Sequence, residues 1–237
     1  MTVLAFDTAT SSCAITVWRK AEVLAENKAM LERGHAEVLV PMIEAALADA
    51  QLDYQDLDLL AVTIGPGAFT GIRIGLATAR RLALASNLPL IGITNFDALA
   101  AAIPLSERQV SGNQARNILV VLETKRADFY ACLYDANLVM LSTPQAVDEA
   151  GLLALAGEGP LVLAGDVAER VMPLLQSGDA EIVLASSGPH VEPAIAAELA
   201  WAKFRSGDEL ATPQPLYLKP PDVNMSGVKL PTRKFKV

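Results

Sequence analysis

Apolar residues alternate with small or polar ones along residues 2–8, 14–18 and 22–30. Ser11 and Ser12 interrupt the first pair of runs, and Arg19 and Lys20 the second. A period of two with that punctuation predicts three consecutive antiparallel strands. The period then lengthens. From Arg33-Gly34-His35 to about residue 50, Leu39, Ile43, Ala46, Leu47 and Ala50 recur at helical spacing, and Val38, Met42 and Ala45 form a second apolar strip beside them. Pro41 lies inside this pattern and predicts a kink or a late helix start. Residues 59–64 read as a strand, 72–86 as a helix, 88–93 as a strand and 95–102 as a short helix. A three-strand meander followed by α-β-α-β-α places helices on a mixed sheet.

The helix over 72–86 carries two apolar stripes. One is Ile72, Leu76, Ala79 and Ala83; the other is Gly75, Thr78, Leu82 and Ala85, with charge confined to Arg73, Arg80 and Arg81. A helix apolar on two sides is either fully buried or packs on its own sheet and on a partner.

Residues 104–117 are polar and form the best linker or mobile loop. The plan then restarts: strands at 118–123 and 128–134, a possible third at 137–141, helices at 147–156, 167–176 and 191–205, and strands at 161–164 and 181–184. Both halves open on a meander and continue with helices and strands, which predicts a structural duplication and a cleft between two lobes. The first lobe is expected over 1–103 (βββαβαβα), completed by a C-terminal helix over 191–208; the second, smaller lobe over 104–190; and an extended tail over 209–237. Pro213, Pro215, Pro220 and Pro221 forbid a helix there.

Composition narrows the picture. At 52% hydrophobic and 19% charged, the 237 residues are globular and able to bury a core. No apolar run reaches the roughly 18 residues of a membrane helix, and the first residues, which meet Asp7 at once, lack a basic leader; a cytoplasmic, membrane-free protein is expected. Cys13 and Cys132 each lie in a strand-like run and read as buried free thiols of a reducing compartment. A net charge of −8 argues against a nucleic-acid-binding surface overall. The end opposes that trend: Lys219, Lys229, Arg233, Lys234 and Lys236 face one acid, Asp222, either as a solvated tail or as a weak phosphate contact.

Two stretches carry candidate chemistry. Gly65-Pro66-Gly67-Ala68-Phe69-Thr70-Gly71-Ile72-Arg73-Ile74-Gly75 joins a strand to a helix. It is either a tight, closely packed turn or an anion site facing the helix amides; it matches neither the Walker-type nor the dinucleotide glycine pattern. Asp7-Thr8-Ala9-Thr10-Ser11-Ser12 lies in the first hairpin. It is either a self-satisfied Asx/Ser turn or a phosphate-and-magnesium loop of the kind found in actin-like ATPases and sugar kinases. His35 and His190 are the two histidines and form no paired ligand spacing, so no metal site is expected; His35 reads as a hydrogen-bonded surface or interface residue.

These two strings, with Leu216-Tyr217-Leu218-Lys219-Pro220-Pro221-Asp222, occur in an order and at distances that resemble the TsaB (YeaZ) family. The resemblance spans nearly the whole chain. It implies an α/β, two-lobed actin-like ATPase/sugar-kinase (ribonuclease H-like) fold with a shortened second lobe. It also implies a non-catalytic partner subunit that dimerises with and stabilises TsaD, the paralogue that transfers threonylcarbamoyl to tRNA adenosine, with the ATPase TsaE docking on the pair. In the family the contact is made by the helices corresponding to residues 34–50 and 72–86. His35, Leu39, Met42, Ile43, Ile72, Arg73, Leu76, Ala79 and Arg80 are the candidate partner residues, and a homodimer through the same helices is expected without the partner. Asp7, Thr8, Thr10, Ser11, Gly65, Gly67, Thr70 and Gly71 are the candidate nucleotide or phosphate set, with ATP or ADP and magnesium at the complex interface the only cofactor to consider. tRNA is expected to be met through the complex, with the basic tail as its contact.

Departures from the family pattern matter. Ala68 stands where relatives often carry a capping Ser, leaving Thr70 to take that duty. Glu123-Thr124-Lys125-Arg126-Ala127-Asp128-Phe129-Tyr130 replaces a D-A-R-x-x-E-V-Y hairpin, and Ala164-Gly165-Asp166 keeps one glycine where ATP-binding relatives pair two. The alternative functions are a stand-alone ATPase or phosphotransferase using Asp7 with magnesium, and a metallopeptidase, for which two isolated histidines supply too few ligands.

Overall fold

The computed structural model describes residues 1–31, 33–110, 114–176, 181–207 and 210–219. Strands β1 (Thr2–Asp7), β2 (Ser12–Arg19) and β3 (Glu22–Met30) form the antiparallel meander that the alternation predicts. Helix α1 (His35–Asp49), strand β4 (Leu59–Thr63), helix α2 (Phe69–Ser86), strand β5 (Leu90–Ile93) and helix α3 (Asn95–Ala101) follow. β4 lies parallel to β1 and β5 parallel to β4, so the first sheet has the order β3-β2-β1-β4-β5.

The segment expected to be a linker instead holds a short helix, α4 (Leu105–Arg108), and a two-stranded ribbon, β6 (Gln109–Val110) with β7 (Gln114–Ala115). Arg116 anchors it through the Glu107 carbonyl at 3.0 Å, and Arg108 through the Ala136 carbonyl at 2.8 Å. Beyond it, β8 (Asn117–Glu123), β9 (Phe129–Tyr134), β10 (Gln145–Val147), α5 (Glu149–Ala156), β11 (Leu161–Ala164), α6 (Ala168–Leu175) and β12 (Ile182–Leu184) build a second sheet of order β10-β9-β8-β11-β12. Its pairings repeat those of the first sheet: two antiparallel, then two parallel. The two-lobed α/β architecture expected from the sequence is therefore present.

Three differences from the sequence reading have local causes. The third strand of the second meander is β10, not residues 137–141. There Leu138 adopts φ 67°, and one Asp135 carboxylate oxygen accepts from the Asn137 and Val139 amides at 2.8 Å each, closing a turn instead of a strand. Helix α2 starts at Phe69, within the glycine string, because the extended Ala68 already offers its carbonyl to the Ile72 amide at 2.9 Å. No side chain caps this end, and Thr70 lies inside the helix. Pro41 lies inside α1 without ending it.

Alternation decides the layers. Leu4, Phe6, Ile15, Leu60 and Val62 face α1 and α2, where Leu39, Ile43, Ala46, Leu76 and Ala79 complete one core. Val3, Ala5, Leu59, Ala61, Ile91 and Ile93 face the other way and share a core with Ala196, Ala197 and Ala200 of the last helix, α7 (Pro193–Ser206), and with Ile118, Val120 and Val162 of the second sheet. α7 packs on β1, β2, β4 and β5. The far face of the second sheet closes on α5 and α6 around Leu119, Val121, Leu152 and Val171. Residues 210–219 contain no helix or strand; Leu216 donates its amide to the Ile64 carbonyl at 2.8 Å, and Arg80 reaches the Pro213 carbonyl at 2.5 Å. Lys219, the first base of the basic end, pairs with Asp128 in the second lobe. The remaining bases of that end lie outside the described residues. Among those described, no helix is long and apolar enough to cross a membrane.

Candidate functional site

The glycine string closes directly on the first hairpin. Thr8 Oγ1 donates to the Gly71 carbonyl at 2.8 Å, and the Ala68 amide donates to the Ala9 carbonyl at 2.7 Å. A methyl group on Gly67 would overlap the Ala9 carbonyl, and one on Gly71 the Thr8 carbonyl. Close backbone approach is therefore what these two positions require, and only glycine permits it.

Asp7 ends β1 with no exposed surface. Its Oδ1 accepts from the Ala9 amide at 3.0 Å and from Thr63 Oγ1 at 2.5 Å; its Oδ2 accepts from Thr10 Oγ1 at 2.8 Å, and Thr10 in turn meets Ser12 Oγ at 2.9 Å. Burial pushes the carboxyl above its ordinary value of 3.8, against the lowering effect of these three donors and of nearby His35. The other members of the candidate phosphate set divide. Thr8, Gly65 and Gly71 are buried, Gly67 and Thr10 are half-buried, and Ser11 and Thr70 are exposed. Magnesium-bound phosphate does not fit the Asp7 hairpin as it stands: the carboxylate has no exposed surface, both its oxygens accept hydrogen bonds from the chain itself, and Asp7 does not line the neighbouring cavity. Asp7 is a buried junction here, the self-satisfied turn of the two readings its sequence leaves open.

The candidate partner residues also need correction. Leu39, Ile43, Ile72 and Ala79 are at most 1% exposed, and Met42 and Leu76 are buried as well. They belong to the protein's own first lobe, because the strip facing the sheet is the one with the longest apolar side chains. Arg73 and Arg80 are exposed but committed to the C-terminal segment: Arg73 Nε donates to Tyr217 Oη at 2.9 Å and stacks over Phe69 at 3.6 Å, and Arg80 holds Pro213. Of the second strips Met42 and Gly75 are buried as well, and the rest is left partly uncovered. Val38 on α1 and Thr78 and Leu82 on α2 are half-buried, and Ala45 and Ala85 are exposed; Leu84 is 85% exposed. His35 is buried, and its Nε2 has no hydrogen-bond partner among the described residues, contrary to a surface histidine.

A cavity of about 580 Å³ opens beside these elements. Its walls are the first turns of α1 and α2, the β8–β9 turn with Glu123, Thr124, Lys125 and Arg126, and the C-terminal segment with Tyr217 and Lys219. Of the sequence-derived residues it gathers His35, Gly67, Thr70, Gly71 and Ile72. Arg33, Lys125 and Lys219 were not singled out for it; polar residues at two turns and in a proline-rich end carry no local sign that they converge. A smaller cavity of about 210 Å³ lies at the ends of β11 and β12, beside Gly165 (φ 110°), whose missing side chain makes room for the Val121 backbone. Among the described residues, no three His, Cys, Asp or Glu side chains converge as metal ligands.

Comparison with known proteins follows this geometry. A family model described as TsaD, tRNA N6-adenosine threonylcarbamoyltransferase, matches residues 22–150, more than half of the chain. An uncharacterised protein of Mycobacterium tuberculosis is 32% identical over 229 residues, 93% of either chain. The tRNA threonylcarbamoyladenosine biosynthesis protein TsaB of Haemophilus influenzae is 34% identical over 131 residues, 55% of this chain and 52% of that one. Among solved structures, YeaZ from Pseudomonas aeruginosa superposes with a TM-score of 0.71 at 19% identity, over 91% of this chain and 100% of that one, a likeness of fold. The fold is that of the actin-like ATPases. With the family model matched over more than half its length, the chain belongs to the TsaD family, as a homologue of the TsaB (YeaZ) proteins.

Proposed function

We propose that this protein is a non-catalytic subunit in the formation of threonylcarbamoyladenosine in tRNA, and that it pairs with and stabilises a larger paralogue of the threonylcarbamoyltransferase type. The names of its TsaB relatives and the transferase family model support the pathway. The observation that carries the pairing is the partly uncovered second strip: Val38 and Ala45 on α1, and Thr78, Leu82 and Ala85 on α2. Small residues on two neighbouring helices let another pair of helices approach closely, and such a face buries about 600–800 Å² per partner, within the range of stable complexes. The same face serves a homodimer when the partner is absent. TsaE joins the pair, and tRNA meets the assembly, with the basic C-terminal end as its contact. The chain works as two lobes, 1–103 with 191–208 and 104–190, followed by the tail, in the cytoplasm.

The test is size-exclusion chromatography and titration calorimetry of the purified chain with the transferase paralogue of its own organism. The wild-type chain forms a heterodimer. Ala45→Glu with Ala85→Glu, both at exposed positions, keeps the fold by circular dichroism and abolishes the heterodimer. An undiminished affinity in the folded double variant would place the interface elsewhere.

A further inference from the structure

β3 is nine residues long and ends one side of the first sheet, with β2 on one flank and no strand on the other among the described residues. An edge of that length leaves a row of backbone donors and acceptors without a partner strand. Their phase follows from one contact. The Leu31 amide donates to the Ser11 carbonyl at 2.9 Å, continuing the register that sets Met30 against Ser12, Lys28 against Ala14 and Glu26 against Thr16. Antiparallel pairing alternates hydrogen-bonded and non-bonded residues along the strand. Ala25, Asn27 and Ala29 therefore turn their N–H and C=O groups to β2, while Glu26, Lys28 and Met30 turn theirs to the open side. All three of these are exposed, Met30 by 60%.

The same edge of a second copy can supply the missing strand, and charge decides how. In an isologous contact the two strands run antiparallel about a two-fold axis, and outward-turned residues must meet outward-turned residues. An axis at Glu26 sets Glu26 against Glu26, and an axis at Lys28 sets Lys28 against Lys28. Like charges directly opposite are destabilising. An axis at Asn27 sets Glu26 of each copy against Lys28 of the other, each pair exchanging both backbone hydrogen bonds, and faces the small Ala25 with Ala29. Glu26 has no ion pair among the described residues. Lys28 reaches Glu192 at 3.0 Å, which steadies its side chain and still leaves it 33% exposed. Asn27 is half-buried, and its side-chain amide has no hydrogen-bond partner among the described residues; on the axis it meets its own copy, and the two amides bond each other.

We infer that β3 is a self-association edge: two copies pair their β3 strands antiparallel about a two-fold axis at Asn27, joining their first sheets into one continuous sheet. Charges on an edge strand commonly serve to prevent such pairing. Here opposite signs two positions apart select one register instead. The contact uses no residue of the α1 and α2 strips, so it does not depend on the pairing proposed above.

The experiment is sedimentation equilibrium of the full chain carrying Ala45→Glu and Ala85→Glu, so that any association through the helix face is removed. A Kd of about 10–100 µM is expected, weak because the shared strand is short. Glu26→Lys, and separately Lys28→Glu, makes both charge pairs repulsive in the Asn27 register and leaves like charges opposed in the other two; each should weaken association at least about tenfold. The two changes together restore opposite charges only with the axis at Asn27, and should return the affinity to within about threefold of the parent. Circular dichroism checks the fold of each variant. Hydrogen exchange of the wild-type chain gives the backbone readout: between about 5 and 500 µM, the Glu26 and Lys28 amides should gain more protection than that of Asn27, which is already bonded to β2. A chain that stays monomeric at about 500 µM would show that the charges guard the edge. Single variants that associate unchanged, a combined variant no tighter than the single ones, or Glu26 and Lys28 exchange that ignores concentration would each overturn the contact.

Discussion

Asp7 shows how one residue can look functional in the sequence and act structurally in the fold. An acid followed by hydroxyls in a hairpin is compatible with metal-bound phosphate and with a self-satisfied turn, and the choice depends on what packs against it. Here Thr63, from a strand 56 positions away, donates to Oδ1, and the carboxyl is left with no exposed surface. Burial raises the folded-state pKa above 3.8, so the unfolded chain releases this proton more readily. The contribution of Asp7 to stability is present below about pH 3.8 and is lost as pH rises through its folded pKa. Asp7→Asn carries no such loss and keeps an oxygen for the Ala9 and Thr63 donors. The stability of the variant relative to wild type should therefore increase with pH above about 3.8 and then level off, as read from urea unfolding at a series of pH values. A difference independent of pH would mean that Asp7 ionises as freely in the fold as in the unfolded chain. The need for glycine at 67 and 71 was legible as a sharp turn, but its object, the Thr8–Ala9 backbone, was not, because that contact spans about sixty residues.

At the scale of elements, periodicity located α1 and α2 and their two apolar strips, and could not say which strip the protein keeps for itself. The structure answers through side-chain size: Leu39, Ile43 and Leu76 reach the sheet, while Ala45, Thr78 and Ala85 remain outside. Leu76→Ala should accordingly behave as a core truncation, lowering unfolding free energy by about 2–5 kcal/mol in chemical denaturation, with a transition that remains cooperative. A loss below about 0.5 kcal/mol would show that Leu76 does not anchor α2 to its sheet. Where the reading of elements failed, a local competitor prevailed over pattern. Residues 137–141 are apolar enough for a strand, but Asp135 captures two amides and turns the chain, and β10 forms later at Gln145–Val147. Residues 104–117 are polar enough for a linker, but Arg116 closes the segment on itself through the Glu107 carbonyl and Arg108 fastens it to the Ala136 carbonyl.

At the scale of the molecule, the duplication was visible as a repeated order of elements, and the two sheets realise it with the same pairing scheme. The route of the C-terminal segment was not visible. Its prolines announce an extended chain without a destination, since they remove the donors that a regular partner strand would use. In the fold this segment runs from the first lobe to the second. Leu216 bonds to Ile64 beyond β4, Tyr217 packs on Phe69 with ring centroids 5.0 Å apart and accepts from Arg73, and Lys219 closes on Asp128 at the start of β9. One strap therefore joins the α2 N-terminus to the β8–β9 turn, the two walls of the cleft. A chain ended after Gly207 should lose protection from hydrogen exchange at both walls, around residues 66–72 and 123–130, while the centres of β1 and β8 keep theirs. Faster exchange confined to the first wall would mean that the strap serves only the edge of the first sheet. Faster exchange at both would show that the cleft is held in shape by the segment that crosses it, since the lobes' shared core around α7 is present in either chain.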